Sequence, residues 1–130
     1  MTNGEIIKLY NALNHISSDN NLKFNFTIGY ALAKNLETIE KEVRIIFKLR
    51  QDIFNQFGTI NEKGDMIIPK DQIETVTEKI DELMAMENPT RVLMIPFEML
   101  EETDNKLGLD DMAGLSYMIQ LPEYIEKQEQ

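Results

Sequence analysis

The densest group of potentially reactive side chains in the sequence is acidic. Six carboxylates lie between positions 98 and 111: Glu98, Glu101, Glu102, Asp104, Asp110 and Asp111. Carboxylates at this density can bind a divalent cation or serve as the acid and base of glycoside hydrolysis. A calcium loop needs a glycine at its sixth position and an oxygen ligand at its fifth, but Leu107 precedes Gly108 and Lys63 precedes Gly64. A sugar cleft usually carries tryptophan, and the chain has none. We therefore predict no metal and no cofactor, and keep metal-assisted catalysis by these carboxylates as a minor alternative.

A serine segment is the second candidate for chemistry. Residues 114–118 read Gly-Leu-Ser-Tyr-Met, which begins like the turn that exposes a nucleophilic serine in hydrolases. The final glycine of that motif is missing, however, and no strand is predicted before it. The single histidine, His15, is distant in sequence and suits the end of a first helix, where a cation interacts favourably with the helix dipole. With no cysteine in the chain either, we predict no catalytic residue and no enzymatic activity.

The net charge of −10 lies entirely in the second half of the chain. Residues 1–65 contain 8 Lys/Arg and 8 Asp/Glu, whereas residues 66–130 contain 5 and 15. Such a surface repels polyanions, so direct DNA or RNA binding is disfavoured. The acidic surface either only aids solubility or docks on the basic surface of a partner protein, where it can imitate nucleic acid.

Membrane and export signals are not visible in the sequence. No segment contains the roughly 18 apolar residues that a membrane-spanning helix needs. Residues 1–5 have no basic region followed by an apolar stretch, as a secretion signal would have. We expect a cytoplasmic protein that does not contact a membrane.

Two helices are predicted in the first half of the chain. Thr2 and Glu5 have the spacing of a capping box, and apolar residues at helical spacing follow over residues 3–16. A longer helix is predicted from Asn25 to Phe57, with Gly58 as the glycine that ends it. Positions separated alternately by four and three residues form a coiled-coil-like seam that is apolar except at Arg50: Leu32, Leu36, Ile39, Val43, Ile46, Arg50, Ile53 and Phe57.

A helical hairpin with a β-tip is predicted for the central part. Residues 59–60 and 66–68 flank a turn with Gly64 and predict a β-hairpin. Pro69 suits the first turn of a following helix over residues 71–87, which the short connection makes antiparallel to the long helix. Antiparallel pairing brings Arg50 near Ile80, where we expect an ion pair with Glu78 or Asp81, or else a contact left for a partner.

The last third of the sequence is predicted to form only short helices and strands. The run from Thr90 to Ile95 predicts either a third strand or an extended segment across the helices. A helical turn follows from Pro96 to Glu102, and Asp110 is expected to cap a final helix over residues 110–119. The fold class is thus mainly α (α+β), as one domain over residues 1–122 with a polar tail over residues 123–130.

The two long helices differ in length, which leaves part of the seam uncovered. The helix over residues 71–87 is about half as long as the one over residues 25–57. The seam before Val43 therefore needs another cover. Three covers are available: the first helix, the helix over residues 110–119, or a second copy of the chain. We expect the first helix to provide it, and a homodimer is the alternative to a monomer.

The order of these segments resembles a family of short proteins of unknown function in tailed bacteriophages and prophages. The resemblance covers residues 6–119. Seven stretches carry it: residues 30–36, Phe57-Gly58, residues 62–64, Pro69, residues 82–84, residues 95–100 and residues 107–115. At residues 110–111 this chain has Asp-Asp where the similar sequences have a Ser-Pro cap. The resemblance implies a phage gene product in a bacterial cytoplasm and carries no known active site.

These observations predict a non-enzymatic phage accessory protein that binds a host protein with a basic surface, such as a nuclease or a defence protein. A self-associating virion-assembly or chaperone-like protein is the alternative. The expected binding surface is the acidic region over residues 71–111, and the residues expected to contact the partner are Glu98, Glu101, Glu102, Asp104, Asp110, Asp111 and Arg50.

Overall fold

The structure, a computed structural model, describes residues 1–101 and 105–121, and it is mainly helical. Five α-helices and four short strands are found in these ranges: α1 (Asn3–Ser18), α2 (Phe26–Phe57), β1 (Thr59–Ile60), β2 (Met66–Ile67), α3 (Ile73–Ala85), β3 (Ile95–Pro96), α4 (Phe97–Glu101), α5 (Leu109–Leu115) and β4 (Ile119–Gln120).

Helix α1 begins at the predicted capping box. The Glu5 N–H donates to Thr2 Oγ1 at 3.2 Å, and the Thr2 N–H donates to Glu5 Oε1 at 2.8 Å, so two free donors of the first turn are satisfied. The helix continues two residues past its predicted end. The hydroxyls of Ser17 and Ser18 donate to the carbonyl of Asn14, which satisfies an acceptor of the last turn.

Helix α2 has the predicted bounds but ends differently from the prediction. Asn25 is its N-cap and accepts a hydrogen bond from the Ile28 N–H at 2.9 Å. Gly58 follows Phe57 with φ −87°, so the left-handed ending that favours glycine does not occur here. The need for glycine is steric, since a Cβ at this position would overlap Met66 Sδ and lie 2.7 Å from the Phe54 carbonyl oxygen.

The predicted seam of α2 is buried in its first half. Leu32, Ile39, Val43 and Ile46 are buried, whereas the later positions from Arg50 onward are only half-buried. Helix α1 covers this first half, as expected, and four of its side chains belong to the same core: Ile6, Leu9, Leu13 and Ile16. Residues on α5 and in the 3₁₀ turn that follows it complete this core.

Strands β1 and β2 form the predicted antiparallel pair, with Thr59 opposite Ile67. Gly64 in their turn has φ +84°, a conformation that favours glycine. Helix α3 is shorter than the predicted span of residues 71–87, because a 3₁₀ turn over Lys70–Gln72 precedes it. It also ends early, because the backbone beyond it pairs with the N-terminus: the Asn3 N–H donates to the carbonyl of Met86 at 2.9 Å.

The last third of the chain crosses back over the helices. Residues 91–94 have no regular secondary structure, and Ile95 pairs in parallel with Ile119, so β3 and β4 form a second sheet separate from the β1–β2 pair. The expected final helix over residues 110–119 is shorter, because residues 119–120 are taken into this sheet. Its N-cap is Gly108, and Asp110 lies inside the first turn, which corrects the predicted cap.

Candidate functional site

The predicted acidic residues occupy two different short helices. Glu98 and Glu101 lie exposed on α4, and Asp110 lies exposed in the first turn of α5. Glu102 and Asp104 are outside the described residues. Within residues 1–101 and 105–121, no group of three or more His, Asp or Glu side chains converges as a metal site would require.

The carboxylate of Asp111 already contacts another side chain of the same chain. Its Oδ2 lies 2.7 Å from His15 Nδ1, and only 14% of the Asp111 side chain is exposed. The pair joins the last turn of α1 to the first turn of α5. His15 is therefore at the helix end where it was expected, but sequence spacing did not indicate that it meets Asp111. A partner that used the Asp111 carboxylate would compete with this contact.

The serine segment shows only local contacts. Ser116 Oγ donates to the carbonyl of Ala113 at 2.6 Å, a bond within the turn of its own helix. The side chain thus caps the end of α5. The imidazole of His15 is paired with Asp111 and not with this hydroxyl.

Arg50 does not form the expected ion pair. Its guanidinium carbon lies 4.4 Å from the centroid of the Phe47 ring, one helical turn earlier, and it pairs with no carboxylate in the described parts of the chain. A cation over an aromatic face is itself a favourable contact. The prediction of pairing with Glu78 or Asp81 is wrong because this local contact within α2 holds the side chain.

The most continuous acidic surface lies on and just before α3. Five of its carboxylates are exposed, and none is ion-paired with another residue that the structure describes. We call this set the α3 acidic face: Asp71, Glu74, Glu78, Asp81 and Glu82. Two lysines lie in the same segment: Lys70, which is exposed just before Asp71, and Lys79, whose Nζ lies 5.9 Å from the ring centroid of Phe57. The face is thus free to meet positive charge from outside.

A groove of about 580 Å³ opens between the end of α1 and the first half of α2. We call it the α1–α2 groove. Its apolar lining comes from both helices and the loop between them: Leu13, Ile16, Leu22, Phe24, Leu32 and Leu36. Gly29 and Ala33 form part of its α2 wall, and the charged residues at its edge are Asp19, Lys23, Glu37 and Glu40. Nothing in the spacing of the sequence indicated this groove, because it depends on how two helices meet.

A second, smaller cavity of about 320 Å³ lies between α4 and α5. It is mostly apolar, and Glu101 and Asn105 stand at its polar side. The predicted binding residue Glu101 thus adjoins a hydrophobic depression.

Sequence reasoning also missed a buried amide that organises this end of the molecule. Asn35 on α2 is 1% exposed; it accepts from the Leu93 N–H at 2.7 Å and donates to the Leu93 carbonyl at 2.9 Å. The side chain pairs with the segment before β3 as a neighbouring strand would. Its position three residues after Leu32 and four before Ile39, on the apolar side of a helix, was the available signal.

Comparison with known proteins identifies no relative. The chain matches no protein-family model, no curated protein and no solved structure. Among the described residues, no helix has both the length and the apolar character required to cross a bilayer.

Proposed function

We propose that the chain is a non-enzymatic accessory protein that binds a host protein with a basic surface. The α3 acidic face carries the proposal: five exposed carboxylates that form no ion pair with any residue the structure describes lie on and just before one helix. Exposed charge of one sign accelerates encounter with a partner of the opposite sign and disfavours other partners. Glu98, Glu101 and Asp110 are proposed as a second acidic contact region on α4 and α5, of which Glu101 lines the α4–α5 cavity.

The proposed presentation of this face is a helical hairpin. Helices α2 and α3 contact each other and are joined by the β1–β2 pair, which supports an antiparallel arrangement with the β-pair at its tip. In that arrangement the buried side of α3, with Val76 and Leu83, meets α2, and the acidic side faces outward.

The origin and target of the protein are part of the same proposal. The resemblance to short proteins of tailed phages supports a phage gene product acting in the bacterial cytoplasm. A host nuclease or defence protein suits the chemistry, because such proteins bind nucleic acid through basic surfaces that an acidic protein can occupy.

Charge-reversal variants test the surface. The first replaces Glu74, Glu78 and Asp81 with lysine, the second replaces Glu98, Glu101 and Asp110, and a control replaces Asp52, Glu62 and Asp65. Each triple substitution changes the net charge by the same amount, so a loss common to all three would reflect overall charge only.

The readout is capture of host proteins from bacterial lysate by the tagged chain, identified by mass spectrometry at low and high salt. We expect one stoichiometric partner that is lost as salt rises. The first variant, the second or both should lose this partner, whereas the control retains it. Retention by both test variants contradicts the proposed surface.

Self-association is the second candidate function, and exposed apolar side chains favour it. Ile60 at the β-tip is 70% exposed and Ile73 at the start of α3 is 50% exposed. Apolar surface at this end can be covered by another copy of the chain in a virion-assembly or chaperone-like role. Light scattering over a hundredfold range of concentration separates the two functions, because a monomer at every concentration contradicts self-assembly.

A further inference from the structure

The first turns of α2 display an unusual amount of uncovered apolar surface. Phe26 is 90% exposed and Tyr30 is 58% exposed. At 100° per residue both lie on the side of α2 that carries Gly29 and Ala33, the small residues in the wall of the α1–α2 groove. Two exposed aromatic rings therefore flank an apolar groove.

Gly29 has no role in the packing of the chain itself. A Cβ at this position would meet no atom within 4 Å, whereas at Gly58 and Gly114 it would collide with neighbouring atoms. A glycine inside a helix costs about 1 kcal/mol relative to alanine. The fold does not need the space beside Gly29, but a segment that lies close against α2 would use it.

The groove is held open by contacts on its loop side. The Lys23 N–H donates to Asn105 Oδ1 at 2.9 Å, and Asn105 Nδ2 donates to the Lys23 carbonyl at 2.7 Å. Two residues later, Asn25 caps α2 through the Ile28 N–H. These contacts fix the loop that carries Leu22 and Phe24 from both sides, so the groove is already formed before a ligand binds.

The charges at the edge of the groove select the occupant. The edge of the groove carries three acidic residues and one cation: Asp19, Glu37, Glu40 and Lys23. Glu40 Oε2 lies 3.7 Å from Arg44, an exposed pair of small energetic value, and Glu37 has no ion pair among the described residues. Basic side chains on the occupant would thus be stabilised, and acidic ones repelled.

We propose that the α1–α2 groove docks an amphipathic helical segment of a partner protein, with aliphatic or aromatic side chains in the groove and Lys or Arg beside Glu37 and Asp19. Helix-in-groove recognition uses this combination of an apolar groove and a few charges at its edge. This surface is separate from the α3 acidic face, and the proposal does not depend on the proposed function.

Three designed helical peptides of fourteen residues test the proposal on the full chain. The first carries leucine at positions i, i+3, i+4 and i+7, which form one face of the helix, and lysine at the positions on either side of that face. The second has glutamate in place of lysine, and the third has alanine in place of leucine. Affinity is measured by fluorescence anisotropy, and the site by backbone chemical-shift changes in the labelled protein.

We expect the leucine–lysine peptide to bind at least tenfold more tightly than the other two, with shift changes at Gly29, Ala33 and Glu37. Ala33→Leu fills the groove from an exposed helical position and should weaken binding at least tenfold. Ala85→Leu, the same change at an exposed position of α3, is the matched control and should bind as the unaltered chain does. The Glu74, Glu78, Asp81 triple variant should also bind the peptide with unchanged affinity.

Three results overturn the proposal. The first is equal binding of the lysine peptides with and without leucine, which indicates non-specific attraction to an acidic protein. The second is unchanged affinity in Ala33→Leu with an intact fold by circular dichroism. The third is a dimer of the chain alone, detected by sedimentation and lost in Ala33→Leu, which assigns the groove to a second copy.

Discussion

The two halves of α2 carry the same apolar pattern but have different surroundings. From Leu32 to Ile46, every seam residue except the half-buried Leu36 is buried in a core shared with α1 and α5, and we call this region the body. After Ile46, no α2 side chain is buried. We call this last part of α2, together with β1, β2 and α3 as far as Glu82, the arm; Leu83, near the end of α3, belongs to the core of the body. A heptad-like pattern therefore predicts a helix and its contact face, but the depth of burial depends on how many elements cover that face.

The difference in burial has an energetic consequence. Complete burial of a Leu or Ile side chain contributes about 1.5–3 kcal/mol relative to exposure. The nine large side chains that are fully buried all lie in the body, on α1, α2, α5 and the 3₁₀ turn after α5, whereas Val76 is the buried side chain of the arm in the described part of the chain. Regions with few buried apolar contacts open locally at a lower free energy than the core, so the arm should exchange its amide hydrogens faster than α1 does.

The largest expected effect comes from the same substitution in both regions. Leu9 in the body is 0% exposed and Leu49 in the arm is 43% exposed. Leu9→Ala should lower the free energy of unfolding by about 2–5 kcal/mol, because it removes buried surface and leaves a cavity. Leu49→Ala should change it by less than about 1 kcal/mol. Urea unfolding followed by circular dichroism measures both, and equal losses would contradict the division into body and arm.

The second effect concerns the amide that joins α2 to the segment before β3. Asn35→Leu replaces the amide with an apolar side chain of similar size and leaves the N–H and carbonyl of Leu93 without their partner. We expect a loss of about 1–3 kcal/mol. Asn55→Leu is the control on the same helix, since Asn55 is exposed and bonds only Gln51. Similar melting temperatures for the two variants would show that the Asn35 contact contributes little.

The third effect compares glycines near the two ends of α2. Gly58→Ala should destabilise the arm by about 1–3 kcal/mol, because its Cβ would overlap Met66 and crowd the Phe54 carbonyl. Gly29→Ala should instead raise stability by up to about 1 kcal/mol, because its Cβ meets no atom and alanine favours the helix. Thermal unfolding gives both signs. Hydrogen exchange should place the Gly58→Ala loss in β1, β2 and α3.

The smallest effect is at the contact between α1 and α5. His15 is mostly exposed, so its pair with Asp111 should contribute no more than about 1 kcal/mol. A double-mutant cycle with His15→Ala and Asp111→Ala measures the coupling of the two side chains alone. A coupling well above this range would mean that the pair, and not apolar packing around Gly114, holds α5 on α1.

Local signals in the sequence predicted the helices well and the helix caps in part, since Asp110 is not the cap of α5 and Gly58 does not end α2 in a left-handed conformation. The capping box at Thr2 and the start of α2 after Asn25 are found as expected, because a cap needs only residues that are neighbours in the chain. The antiparallel strands around Gly64 follow from the same kind of local pattern. The early end of α3 and the shortened α5 could not be predicted in this way, because each is caused by pairing with a distant segment.

The same distinction between local sequence signals and tertiary contacts applies to the acidic residues. Its total charge and its place in the second half of the chain follow from counting residues. The structure shows that Asp111 is paired with His15 and that Arg50 lies over Phe47, and neither contact follows from spacing alone. Phe47 and Arg50 are three residues apart on one helix, which permits the cation–π contact, but this spacing does not decide between that contact and an ion pair across helices.

The sequence by itself therefore determined the helical class, the helix starts and the one-sided charge, since propensity, capping and charge are properties of short segments. Tertiary structure alone decided the burial of Asn35, the parallel pairing of Ile95 with Ile119, and the α1–α2 groove. Each of these joins residues more than ten positions apart. Such contacts depend on the angle and distance at which whole helices pack, and a periodic pattern of side chains does not specify either quantity.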